Sequence, residues 1–164
     1  MAKTNLTAER LRECLHYDPQ TGVFKWRMRI GRGRIGKIAG ITTARRYIRI
    51  GVLGCEYMAH RLAWLYVHGA WPHAEIDHID GDPANNALAN LREASRPENL
   101  QNLKKANPRN KTGLIGAHRR SNGRYRSHLQ SGGRIICLGS FATAEEAHKA
   151  YVEAKRKFHS FNTL

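Results

Sequence analysis

Residues 75–102 read E-I-D-H-I-D-G-D-P-A-N-N-A-L-A-N-L-R-E-A-S-R-P-E-N-L-Q-N, and the changes of pattern inside that stretch decide the fold. Glu75-Ile76-Asp77-His78 alternates like a strand, which puts Ile76 and His78 on one face and Asp77 on the other. Asp80-Gly81-Asp82-Pro83-Ala84-Asn85-Asn86 is turn chemistry throughout. Asn90-Leu91-Arg92 resumes an extended run. Ser95-Arg96-Pro97-Glu98 has the form of a capping box with proline in the first turn, so a helix should start there. The order is strand, loop, strand, helix, and it can set Asp77 and His78 against Asn99. A carboxylate and an amide oxygen are hard donors, suited to Mg²⁺ or Mn²⁺. A neutral imidazole can take a proton from water near neutral pH. Together these groups suit metal-assisted hydrolysis of a phosphodiester. The competing reading is a surface turn whose Asp and Asn side chains only satisfy the local backbone.

Charge narrows the partner. Twenty-eight Lys and Arg face thirteen Asp and Glu, a formal net charge of +15. Such a surface attracts polyphosphate and gains by releasing its counterions. No segment joins clustered cations to a long apolar helical face, so nucleic acid is the expected partner rather than a membrane. No apolar run approaches the roughly 18 residues of a membrane span. The opening M-A-K-T-N-L-T-A-E-R lacks the apolar stretch of a signal peptide, which points to a soluble, cytoplasmic protein. Cys14, Cys55 and Cys137 are far apart, with no C-x-x-C pair, so they read as reduced thiols and not as zinc ligands.

Outward from the central stretch, the chain reads as short elements. Thr7 can cap a helix with Leu11, Cys14 and Leu15 on one face, up to about residue 16. Tyr17-Asp18-Pro19-Gln20-Thr21-Gly22 is a turn, and residues 23–27 a strand. The Gly- and Arg-rich run 29–37 is either a basic loop lying on a DNA backbone, through Arg32 and Arg34, or a solvated hairpin loop. Residues 47–50 alternate like a strand, and 57–68 form an apolar helix ending at Gly69. Residues 107–112 have linker composition. Beyond them three strand signals, near 114–119, 124–130 and 134–139, precede a capping box at Thr143-Ala144-Glu145-Glu146 and a helix to about Phe158.

Residues 76–102 resemble the ββα-metal motif of His-Asn-His nucleases, and are most similar to the phage and intron-associated homing endonucleases. The pattern D-H-x-x-G, N-N, N-L-R and a final N carries the resemblance. It implies that Asp77 is a metal ligand, that His78 is the general base, that Asn90 braces the loop and orients His78, and that Asn99 is the second protein ligand. Asn102, one turn on, is either a further ligand or a cap. The blocks Y-D-P-Q-T-G-V-F-K-W at 17–26 and A-H-R-L-A-W-L-Y at 59–66 resemble the same family. There Arg61 suits a phosphate, while His60 is either a supporting contact or a packed helix residue. Residues 113–164 resemble the ethylene-response-factor (APETALA-type) DNA-binding domain, on G-L-I-G-A-H-R-R-S-N-G-R-Y-R-S-H-L and L-G-S-F-A-T-A-E-E-A-H-K-A-Y. That resemblance implies a sheet in the major groove, with His118, Arg120, Arg124 and His128 at DNA. Arg126 joins them by strand alternation. Asn122 and Cys137 stand where that family has aromatic contacts.

The expected architecture is α+β: a central ββα-metal nuclease motif, an N-terminal β-rich basic segment, and a C-terminal three-stranded sheet packed on one helix. The expected divisions are an N-terminal DNA-contacting segment at 1–72, the HNH motif at 73–106, a linker at 107–112 and the APETALA-type domain at 113–164. The expected function is a Mg²⁺- or Mn²⁺-dependent endonuclease acting on double-stranded DNA, in a bacterium or phage-infected host. It would take no small-molecule substrate and would nick as a monomer rather than act as a dimer. The rivals are a DNA-binding regulator with a degenerate nuclease motif and a nuclease selective for junctions or RNA.

Overall fold

The computed structural model describes residues 6–31, 34–103 and 106–159. The chain divides into two compact units, residues 1–95 and 96–164.

In the first unit, Thr7 Oγ1 accepts from the Arg10 N–H and opens α1 (Ala8–Cys14). The chain then turns directly into β1 (Leu15–Tyr17), which pairs antiparallel with β2 (Phe24–Trp26). The sequence assigned residues 15–16 to the end of the helix. The structure puts them in a strand because Leu15 is opposite Trp26 and both Leu15 and Tyr17 go to the core. A second sheet has the order β3 (Ile41–Thr42), β4 (Ile48–Val52), β5 (Cys55–Met58). α2 (Ala59–His68) follows at once and stops at Gly69, which is left-handed at φ 76°. Leu11, Leu15, Tyr17, Phe24, Ile50, Val52, Leu62 and Leu65 form the core beneath these elements. Each side chain buried there stabilises the unit by roughly 1.5–3 kcal/mol before entropy is counted. A two-stranded hairpin of β6 (Glu75–His78) and β7 (Leu91–Ala94) completes the unit, with Ile76 and Leu91 adding to the same core.

The second unit begins with the short α3 (Arg96–Gln101). Its body is an antiparallel sheet in the order β10 (Arg134–Phe141), β9 (Tyr125–Ser131), β8 (Ala117–Arg119), packed on α4 (Ala144–Phe158). Thr143 and Glu146 form the capping box reciprocally. The 107–112 segment is tied down: Asn110 Nδ2 donates to Leu114 O and Thr112 Oγ1 to Ala117 O. The buried Lys155 ammonium donates to Leu103 O, which holds the residues after α3 within this unit. Along the chain the boundary between the two units falls between Ser95 and Arg96, inside the 73–106 segment that the sequence reads as one motif.

Candidate active site

Asp77 and His78 end β6, and both are buried, at 5% and 6% exposure. Strict alternation expects them on opposite faces, yet Ile76, Asp77 and His78 are all buried because the 79–90 loop and neighbouring elements cover the strand end. In the antiparallel register Asp77 faces Arg92 and His78 faces Leu91. The Arg92 guanidinium uses that position to donate from Nε and Nη2 to Asp77 Oδ2, at 3.0 and 2.8 Å. A carboxylate here therefore stays compensated although it is out of water.

The loop after β6 is a closed hydrogen-bond network. Asn90 Nδ2 donates to Asp80 Oδ1 and to Asn85 O, and its Oδ1 accepts from the Asp80 N–H. Asn85 Nδ2 donates to Asp80 Oδ2 at 2.7 Å. Burial pushes the Asp80 carboxyl up, but the Asp82 N–H and the two amides outweigh it and hold its pKa below the ordinary value. Asn90 thus braces the loop through Asp80 and Asn85. The sequence reading also has Asn90 orient His78; a second amide, that of Asn86, is hydrogen-bonded to that ring. Its Oδ1 is 3.2 Å from His78 Nε2, and the residue is 2% exposed. Sequence reasoning missed this role. The adjacent pair Asn85-Asn86 was visible, but nothing in it says which amide turns inward.

Two further rings wall His78. His60, on α2, meets it edge-to-face at 5.1 Å and 85° between planes. Tyr47, at the turn before β4, meets it at 6.0 Å and meets His60 at 5.6 Å. That turn is anchored to the loop by Arg46, whose guanidinium pairs with Asp82 at 3.2 Å. Of the two readings of His60, the structure shows a buried residue in direct ring contact with His78. Burial, then His78 and Arg61, lower its pKa to about 4, so it is neutral near pH 7.

The other expected site residues are spread over both units. Asn99 lies in α3 and Asn102 just beyond it, both in the second unit; Asn102 is buried and its N–H donates to Asn99 O. Arg32 lies outside the described residues, and Arg34 is exposed. Arg61 sits over the Trp71 ring, its guanidinium carbon 5.8 Å from the centroid. In the second unit Ser127 and Leu129 are buried, while Arg126 is exposed and His128 half-buried, as alternation requires of opposite sheet faces. Arg120 and His118 are exposed. His118 stacks on His128 at 5.0 Å, and Arg124 is partly committed, donating from Nη2 to Ser140 O and from Nε to its hydroxyl. Burial, then His118 and Arg126, lower the pKa of His128.

Asp77 offers carboxylate oxygen, the hard donor type that Mg²⁺ and Mn²⁺ take. Among the described residues no group of three or more His, Cys, Asp or Glu converges to hold a metal. No helix among them is long and apolar enough to cross a membrane.

The HNH endonuclease family matches residues 57–101, from the end of β5 through α3. The match does not extend to residues 113–164 and lends no support to their expected kinship with the APETALA-type domain. No curated protein matches the chain. A solved structure described as DNA binding and cleavage by the HNH homing endonuclease I-HmuI aligns at 26% identity with a TM-score of 0.41. The alignment covers 53% of this chain and about half, 49%, of that one. Residues 57–101 are thus similar to the HNH endonuclease family, over about a quarter of the chain.

Proposed function

We propose that the protein is a divalent-metal-dependent endonuclease that hydrolyses phosphodiester bonds in duplex DNA, with His78 as general base. The observation that carries this reading is the buried Asp77–His78 pair at the end of β6, inside the matched HNH segment, with His78 fixed by Asn86 and two rings. His78 would take the proton from the attacking water. Asp77 would hold the metal, with Asn99 as the second protein ligand, in the ββα arrangement the sequence implies. The bound cation would supply Lewis-acid stabilisation of charge on the phosphate and its leaving oxygen. Asn90 would keep the loop in shape. The net charge of +15 supports a polyanionic substrate.

The C-terminal sheet supplies a second DNA-contacting surface in this reading. Its support is the three-stranded meander on one helix, with Arg120, Arg126 and His118 exposed. Arg34 and Arg61 would widen the footprint, and Arg32 completes that set by sequence. One metal motif cuts one strand per engagement, so a monomer of homing type would nick. The Arg92–Asp77 ion pair favours a second reading, a DNA-binding regulator in which Arg92 has taken the place of the metal.

Supercoiled plasmid separates the two. Wild type with Mg²⁺ or Mn²⁺ should produce open circles, and EDTA or His78→Ala should abolish them. Retardation of DNA by both proteins without any cutting, on a plasmid library that samples many sites, would favour the regulator.

A further inference from the structure

We infer that the second unit takes up one unpaired nucleotide of a DNA strand, its base seated in a pocket between residues 106–116 and the sheet face turned away from α4. The inference rests on DNA as the substrate of the proposed function. It names the form of DNA that this unit selects: a duplex in which one base has left the stack, such as a one-nucleotide bulge.

Alternation in β9 decides which face is available. Ser127 and Leu129 are buried toward α4, so His128 and Gln130 stand on the other face. Register puts Cys137 opposite His128 and Ile135 opposite Gln130, and both partners are exposed. On that face opens a pocket of about 290 Å³, close to the lower end of the roughly 300–1,000 Å³ that small-molecule sites span. Its walls suit a flat aromatic group. The His118 and His128 rings stack 5.0 Å apart with 29° between their planes, which offers a π face. Leu103, Ile115 and Ile135 supply apolar contact, and Leu103 and Ile135 are still 52% and 66% exposed. Asn107 and Gln130 bring amides to the same pocket, and His128 Nδ1 is buried with no hydrogen-bond partner among the described residues. These polar groups match the donors and acceptors on a base edge. A purely apolar ligand would leave them unsatisfied.

The wall facing the sheet comes from the segment whose composition reads as a linker, and it is built before any ligand arrives. Asn110 Nδ2 donates to Leu114 O, and its Oδ1 accepts from the Thr112 N–H. His148, on α4, donates from Nδ1 to Ile115 O at 2.7 Å. Gly116, left-handed at φ +77°, leaves no space for a side chain: an added Cβ would be 2.0 Å from the Tyr151 ring, which closes one end of the pocket. A wall held in this way lowers the ordering cost of binding. Cations surround it. Arg109 lies between Asn107 and Asn110, Arg126 is opposite His118 on β9, and Arg134 precedes Ile135; all three are exposed. They suit the phosphates on either side of the seated base. An apolar protein side chain would match the walls but not this surround of like charge.

Equilibrium binding of the full chain in EDTA tests this with two short duplexes that differ only by one unpaired adenine. Stacking a base on an aromatic wall changes affinity by roughly 5- to 150-fold, so the bulged duplex should bind about 10-fold tighter than the paired one. Ala106→Phe fills the pocket and Ile135→Ala removes part of a wall, neither changing charge. Each should bring the two duplexes to within about twofold, through loss of affinity for the bulged one alone. The ring C–H resonances of His118 and His128 should shift upfield with the bulged duplex and much less with the paired one. Equal affinity of wild type for both duplexes would overturn the inference and leave DNA binding standing, and a preference that survives both substitutions would also overturn it. If Ala106→Phe does not fold, as read by far-UV circular dichroism, Ile135→Ala at its exposed position decides. Binding of neither duplex at low salt would overturn the inference together with its premise. The expected preference in a protein that cuts nothing would support the pocket and sink the nuclease reading.

Discussion

His60 makes the first unit acid-sensitive in a way that one substitution should remove. It is 8% exposed, its Nδ1 is buried without a hydrogen-bond partner among the described residues, and its pKa falls from 6.5 to about 4. Unfolded chain takes up the proton below about pH 6.5, whereas the folded protein refuses it until about pH 4. Between those values the unfolded state binds more protons, so stability is intact above the window and is lost as pH falls through it. A shift of that size is worth at most about 3 kcal/mol, most of which should be gone by about pH 4.5. His60→Phe keeps a ring against His78 and Tyr47 and cannot protonate. At about pH 7 it should lie within about 1 kcal/mol of wild type. The assay is urea unfolding followed by tryptophan fluorescence, which reports the first unit alone because Trp26, Trp64 and Trp71 all belong to it. Carboxylates such as Asp80 contribute acid sensitivity to both proteins, so the quantity to compare is the loss from about pH 7 to 4.5 in each. Wild type should lose about 2–3 kcal/mol more than His60→Phe. Parallel losses would show that His60 accepts its proton freely in the folded state, and the neutral ring wall around His78 would have to be abandoned.

Three substitutions test the supports by steric and capping logic, Gly54→Ala as a control. Gly22→Ala must move the backbone of Asn86 and Ala87, and should cost the first unit about 3 kcal/mol or more in the same fluorescence assay; Gly54→Ala, equally left-handed at φ +79° but facing open space, should cost only about 1–2 kcal/mol. Thr143→Ala removes the cap of α4 and should lower the stability of the second unit by about 1 kcal/mol, seen in far-UV circular dichroism while the tryptophan signal of the first unit stays unchanged.

Much of the scaffold was legible because its signals are local. Thr143 and Glu146 announce α4, Gly69 ends α2, and the turn residues around 121–123 and 131–133 separate the C-terminal strands. Asp77 and His78 stood out as a hard donor and a base at the end of a strand signal, and Asn90 through the resemblance to the His-Asn-His motif. What stayed hidden is what depends on distant partners. β1 is three residues long, too short for a pattern, and exists through its pairing with β2. Arg92 on Asp77 follows from the β6–β7 register, which the sequence does not print. Tyr47 and His60 reach His78 from two other elements, and Asn86 is distinguished from Asn85 only by which way each amide turns.

Those hidden contacts bear on where the active site ends. The segment matched to the HNH family, 57–101, contains Asp77, His78, Asn86 and Asn90. It does not contain Tyr17, Pro19 or Gly22, which hold the Asn86 loop, or Tyr47, which covers the His78 ring. Leu11, Leu15 and Phe24, which share the core with Ile76 and Leu91, are also outside it. The matched stretch therefore holds the proposed reacting groups, while residues before it supply much of the packing and two walls of the support. A base misplaced by about 1 Å can cost on the order of 100-fold in rate. On that scale, if His78 is the base, the N-terminal half of the first unit would be part of the catalytic apparatus, beyond any contact its basic loop makes with DNA.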